Sequence, residues 1–506
     1  MLVKSLVSSL SLVLPCVLIG FDNVQKLALK TNVQAAFNYE QKISNNADLI
    51  SGTTGIYNSV QGIHNSRIGV GKLAQATTSK TYYVSGAGND SNNGLTTSTP
   101  FRTLQRAADK VSAPGDTVYV MNGTYTRTNS SKEVLVIWEK KGTVAAPITF
   151  KAYPGHKPVI KSQNSYAINV LGSSYVIIEG LELVGNNGNV TLQYALQQKN
   201  NLNNPLTSGV GITIYPSSSG TGIRQHSHHI VIRNNKISNF GSAAIGTVKA
   251  DYITIENNVV FNNCLYSPLG PNTITMLYNW NSDNNTSDYK MIIRGNISHN
   301  NQSLVPYYYS GKITEGNGIM IDDSLNTQAN STHQPYWGKT LIANNIIYKN
   351  GGAGIQVYSS ANVDVINNTA YQNAQKAETY NWGEISVVLS KQVRVFNNIM
   401  YANKDGLVNN ISKSQTTISY DNNLVYNSSK YTSSGLSNIV GKDPQFVDPA
   451  KGNFSLKYGS FAIDTGISSY NGAAAPKIDG VGITRPQDGD GNGIAIIDIG
   501  ALERQP

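Results

Sequence analysis

Cysteine is almost absent: the 506 residues contain Cys16 and Cys264 only, and Cys16 lies in an apolar N-terminal run. A disulfide framework is therefore excluded as the source of stability. Long apolar stretches are also missing. The start, M-L-V-K-S-L-V-S-S-L-S-L-V-L-P-C-V-L-I-G-F, has one Lys before an apolar run too short and too often broken by Ser to span a bilayer. Residues 1–21 are thus expected to be an export signal, leaving a secreted chain without a membrane span. Charge is scarce, at 14% of residues, and the net +9 is spread without a Lys/Arg cluster. That argues against nucleic acid and for an acidic polysaccharide as partner.

What the chain does have is Gly, Asn, Ser, Thr and Tyr, the composition of many short strands joined by turns. Residues 22–80 are polar and aperiodic, as in S-G-T-T-G-I-Y-N-S-V-Q-G, and read as a flexible linker or propeptide. Beyond them a repeat begins: I-V-I-R-N-N-K-I-S-N, I-T-I-E-N-N-V-V-F-N, M-I-I-R-G-N-I-S-H-N, L-I-A-N-N-I-I-Y-K-N and three more, with the second Asn at 235, 258, 296, 345, 368, 398 and 423. The separations of 23, 38, 49, 23, 30 and 25 residues describe a basic period in the low twenties carrying insertions. Each unit is a strand, a sharp Asn bend and a second strand, which is one coil of a parallel β-helix. Asn tolerates the left-handed backbone of the bend, and stacked Asn side chains form a hydrogen-bonded ladder.

A second strand class recurs between the bends, as in G-I-T-I-Y-P, T-I-T-M-L-Y, G-I-M-I-D-D, G-I-Q-V-Y-S and E-I-S-V-V-L. Alternation sends Ile212, Ile245, Ile274, Ile319, Ile355 and Ile385 inward. Asp322 is then outward in one column with Tyr215, Val248, Leu277, Tyr358 and Val388; Met320 and Gln356 share the neighbouring column, and Glu384 projects outward two coils on.

The segment T-Y-Y-V-S-G-A-G-N-D-S-N-N-G-L-T-T-S-T-P-F-R-T-L-Q-R-A-A-D-K-V, with a helix expected to open at Thr99 and Pro100 and to cover the first coil, resembles the start of secreted proteins of the pectate-lyase-like superfamily. The closing run D-P-Q-F-V-D-P…I-D-I-G-A-L-E is similar to the end of such proteins. The resemblance implies one all-β domain over 81–503, a right-handed parallel β-helix with an N-terminal capping helix and long loop insertions.

Unusual residues gather in two insertions, about 265–289 and 302–337, where rings sit beside acids and amides as a sugar site requires. Tyr278, Asn279, Trp280, Asn281, Tyr309, Gln356, Tyr358 and Trp382 are the candidate substrate contacts, and Glu315, Asp322, Asp323, Glu384 and Lys312 the candidate catalytic groups. Family-nine pectate lyases, which the N-terminal segment resembles, have adjacent Asp calcium ligands in one coil and a Lys base in a neighbouring strand. The resemblance implies Ca2+ at Asp322 and Asp323 and β-elimination on an acidic polysaccharide, but Gln356 stands where the Lys is expected. Two alternatives remain: a hydrolase whose paired carboxylates flank a glycosidic bond, and a non-catalytic glycan-binding surface solenoid. Asp322-Asp323 also reads as a strand-ending turn. Asp488, Asp490 and Asn492 have the D-x-D-x-N-G spacing of a calcium loop, with Ile499 in place of its twelfth-position Glu. His226, His228 and His229 read as a solvated turn. A monomer is expected.

Overall fold

The computed structural model describes residues 78–127, 133–328, 334–379, 381–412, 417–433 and 435–506. The export signal, nearly all of the linker and Tyr380 lie outside them. Three parallel sheets wind around one core: eleven strands from Thr81–Val84 to Ile418–Tyr420, eleven from Thr124–Tyr125 to Ile439–Val440, and nine from Leu135–Trp138 to Asn409–Ile411. Within each sheet, neighbours are the equivalent strands of successive coils, the arrangement of a parallel β-helix.

The nine-stranded sheet carries the functional face. Its strands are β1 (Leu135–Trp138), β2 (Tyr166–Leu171), β3 (Val210–Tyr215), β4 (Ile245–Val248), β5 (Ile274–Leu277), β6 (Ile319–Asp322), β7 (Ile355–Tyr358), β8 (Ile385–Val388) and β9 (Asn409–Ile411). Ile212, Ile245, Ile274, Ile319, Ile355 and Ile385 are fully buried and in register, as alternation requires. The same register aligns Leu277, Asp322, Tyr358 and Val388 in one outward column, and Thr275, Met320, Gln356 and Ser386 in the next.

At each bend the first residue takes a positive φ (Asn234, Asn257, Gly295, Asn344, Asn367, Asn397 and Asn422) and the second points its amide inward. Nδ2-to-Oδ1 bonds of 2.9–3.2 Å then link Asn235, Asn258, Asn296, Asn345, Asn368, Asn398, Asn423 and Asn438 in one ladder. A second ladder runs through Asn263, Asn301, Asn350 and Asn373. Both satisfy amides that burial alone would penalise.

The capping helix α1 (Leu104–Lys110) starts later than the sequence suggested: Thr103 is its N-cap, accepting from Arg106 N. Thr99 and Pro100 instead belong to a loop that pairs Phe101 with Val84. Leu104, Ala107 and Ala108 bury their apolar side chains at the first coil. The C-terminal run does not add a coil; it folds back along the outside of the second sheet. There Phe446, Phe454, Leu456, Ile463 and Ile499 pack with Ile346, Ile399 and Leu424.

Candidate functional site

Strand β6 ends in Asp322 on the outward side of the nine-stranded sheet, within reach of the charge of Glu315. Glu315 precedes the strand and Asp322 ends it, and loops cover both: Glu315 is 7% exposed and Asp322 6%. Amides fix the entry. Asn272 Oδ1 accepts from the backbone N–H groups of Gly316 and Asn317, while Asn317 Nδ2 donates to Glu315 Oε2 at 3.3 Å and to Gln356 Oε1 at 2.8 Å. On the far side Gln328 Nε2 donates to Asp322 Oδ1 at 2.8 Å. Met320 and Gln356 between the acids are outward by register yet buried.

Burial raises the Glu315 carboxyl to about 7. Asp322 is pushed well above the usual carboxylate range, first by burial and then by the charges of Glu315 and Asp323. Burial and the nearby Asp322, Glu315 and Asp323 likewise raise the Tyr358 hydroxyl. Burial thus keeps a proton on Glu315 up to about 7, and the Glu315 charge opposes ionisation of Asp322, the condition for general acid catalysis by one of them.

The other expected catalytic groups fall elsewhere. Asp323, at φ 47°, spends its carboxylate on its own turn: Oδ1 accepts from Thr327 N and Oγ1, and Oδ2 from Gln328 N. Glu384 does not project outward. It is buried, and its carboxylate accepts from Asn373 N and Nδ2, where it terminates the second Asn ladder. Lys312 is exposed, its backbone N–H held by Ser310 Oγ.

The rings and amides divide in the same way. Tyr278 packs among Val248, Leu277 and Tyr215, and Asn279 is fully buried, its amide atoms without a partner among the described residues. Trp280 is half-buried against His226, rings parallel at 4.2 Å. Asn281 straps two loops together, donating to Pro335 O and accepting from Trp337 N. Tyr309 is 54% exposed, and Tyr358 and Trp382 are half-buried, so these rings remain open to a ligand. Gln356 has its carbonyl oxygen engaged by Asn317.

Sequence reasoning missed Gln328, whose role depends on a turn that returns the chain to Asp322. It also missed the network that carries the loop wall. Lys290 is fully buried, with Nζ 2.6 Å from Asp251 Oδ2 and 2.8 Å from Asp283 Oδ1, and it faces the rings of Tyr252 and Tyr336. Tyr336 Oη donates to Asp251 Oδ1 and Ser282 Oγ to Asp251 Oδ2, so both loop insertions are tied to one buried carboxylate. His228 and His229 are buried in this region rather than solvated. Their Nδ1 atoms are 3.1 Å apart, and burial pushes the His229 imidazole down to about 2.

For a metal, Asp322 and Asp323 do not fit the expected pair, because Asp323 is committed to its turn and no third acidic or His ligand converges with them among the described residues. Asp488 and Asp490 do converge, and their partner is Asp464, with ligand oxygens within 4.8 Å of one another. Asn492 joins that loop by donating to Asp490 Oδ2. These partly buried carboxylates are the candidate cation site among the described residues, far from Glu315 in sequence.

Residues 82–438 match the model of a family described as Pel9A-like, right-handed β-helix region. None of the curated proteins compared matches the chain. Similar solved structures include pectate lyase Pel9A, at 16% identity over 85% of this chain and 97% of that one, with a TM-score of 0.46. A lacto-N-biosidase of Eubacterium ramulus is 17% identical over 69% and 56%, TM-score 0.39. An alginate lyase of Paenibacillus sp. str. FPU-7 is 16% identical over 67% and 96%, TM-score 0.39.

Proposed function

The chain belongs to the Pel9A-like right-handed β-helix family, and from that premise we propose that it is a secreted polysaccharide-cleaving enzyme acting by glycoside hydrolysis. The observation that carries this reading is the buried pair Glu315 and Asp322, on either side of Met320, with Glu315 raised to about 7 and Asp322 well above the usual carboxylate range. Asp322, whose ionisation the Glu315 charge opposes, is the proton donor to the glycosidic oxygen as the bond to the anomeric carbon breaks. Glu315, ionised above about 7, faces the oxocarbenium-like centre as nucleophile or as base for a water. Gln356 stands in place of a lyase base and is bonded to Asn317, which favours hydrolysis over the β-elimination suggested by resemblance. Exposed Tyr309 and half-buried Trp382 offer stacking surfaces for flanking sugars. The signal-like start, residues 1–21, supports action outside the cell.

The test is a polysaccharide panel read for new reducing ends and for the absorbance of unsaturated product. Hydrolysis gives reducing ends alone, lost at least a hundredfold in Glu315→Gln and Asp322→Asn. Unsaturated product, or unchanged activity in both variants, sinks the proposal.

A further inference from the structure

Gln328 is only half used. Its Nε2 holds Asp322 Oδ1 at 2.8 Å and its backbone N–H is fixed by Asp323 Oδ2 at 2.9 Å, but its buried Oε1 has no hydrogen-bond partner among the described residues. A buried amide oxygen left unmet costs free energy, so the side chain is set for a donor supplied from outside. Ser386 Oγ, two coils along the same column from Met320, is fully buried and likewise without a partner among the described residues. Among the described residues no Lys or Arg bridges Glu315 or Asp322, Lys290 is spent on Asp251 and Asp283, and Arg294 on Glu256. A uronate carboxylate placed between Glu315 and Asp322 would set a further negative charge beside Glu315, with no cation paired to either acid among the described residues.

Resting on the hydrolase reading, we infer that the sugar unit between Glu315 and Asp322 is uncharged and donates a hydroxyl to Gln328 Oε1. Gln328 is then a positioning residue: the hydroxyl it accepts polarises its amide and strengthens the N–H that orients Asp322. Substrate occupancy and placement of the catalytic acid are one event.

The closing experiment uses neutral xylan, galactan and β-glucan beside polygalacturonate and alginate. Cleavage confined to a neutral polymer supports the inference. Reducing ends from a polyuronate without unsaturated product overturn it and leave hydrolysis standing, whereas unsaturated product overturns the hydrolase reading itself. On the neutral polymer that is cleaved, Gln328→Leu lowers kcat/KM at least tenfold and moves the alkaline limb of the pH profile upward, because the N–H favouring ionised Asp322 is gone. Retained activity, or a loss uniform across pH in a variant with wild-type melting, overturns the role of Gln328.

Discussion

Glu384 accepts from the backbone N–H and the Nδ2 of Asn373, whereas Glu315 meets a long bond from Asn317 Nδ2 and the side chain of Asn272. Both are buried, but one closes a ladder and the other lies beside the outward column of Met320 and Gln356. Replacing Glu384 by Ala strips two buried donors, each costing about 1–3 kcal/mol when unmet. Glu384→Gln retains an acceptor for them. Chemical denaturation is therefore expected to show a loss of several kcal/mol for Glu384→Ala and little for Glu384→Gln, with both folded variants still cleaving glycan. Loss of activity in a stable Glu384→Gln protein would instead make Glu384 part of the chemistry. The same burial sets a pH dependence. Glu315 is raised from 4.5 to about 7 and Glu384 from 4.5 to about 8. A carboxyl raised on folding binds more protons in the native state between those values, so stability is greatest below about 4.5 and falls as pH climbs toward 8. For Glu315 that decline amounts to about 3 kcal/mol. Glu315→Gln is predicted to flatten the fall between pH 4.5 and 7 in melting curves and to be more stable than the parent at pH 8; an unchanged slope would show that Glu315 ionises freely in the folded protein.

Elements separate what the sequence discloses from what it hides. A stacked coil must repeat its bend, so the Asn-Asn pairs disclosed the first ladder, and strict alternation put Asp322 in the correct column. The second ladder is also written in Asn, at 263, 301, 350 and 373, but its end breaks the pattern. Glu384 is a charged residue where another Asn would continue the stack, and the charge read as chemistry. Loops obey no period, so the convergence of Lys290, Asp251 and Asp283 and the return of Gln328 to Asp322 depend on contacts that spacing does not encode. The Lys290 network ties the insertions carrying Trp280 and Trp337 to the coils. Lys290→Met leaves Asp251 buried without its cation and is expected to cost about 3–5 kcal/mol. Adding Asp251→Asn should recover part of that loss, because the uncompensated charge disappears. Tryptophan emission should shift to longer wavelength in the single variant as the wall loosens. Additive losses in the double variant would show that the pair is uncoupled.

Across the whole molecule, a solenoid bonded only between neighbouring coils can fray from its ends, since its stability is close to a sum of local interfaces. The C-terminal segment opposes this by contacting several coils at once. Asn344 Nδ2 donates to Ile478 O, Asn367 Nδ2 to Asp498 O and Gly500 O, and Asn397 Nδ2 to Ile467 O. Phe446, Phe454 and Leu456 cover the strands of three coils. Arg485, fully buried, pairs with Glu503 and donates to the carbonyls of Asp498 and Gly500, holding the returning chain in shape. The segment therefore couples coils that do not touch. Removing residues 442–506 is predicted to lower the melting midpoint and to let the coil carrying Asn409–Ile411 exchange its amide hydrogens well before the central coils. In the full chain those coils should exchange with similar protection. Arg485→Met should give a milder form of the same gradient, because it loosens the clasp without deleting its apolar contacts. If the truncated protein keeps the full-length midpoint and a uniform exchange pattern, the ladders alone make the helix cooperative and the clasp contributes nothing to it.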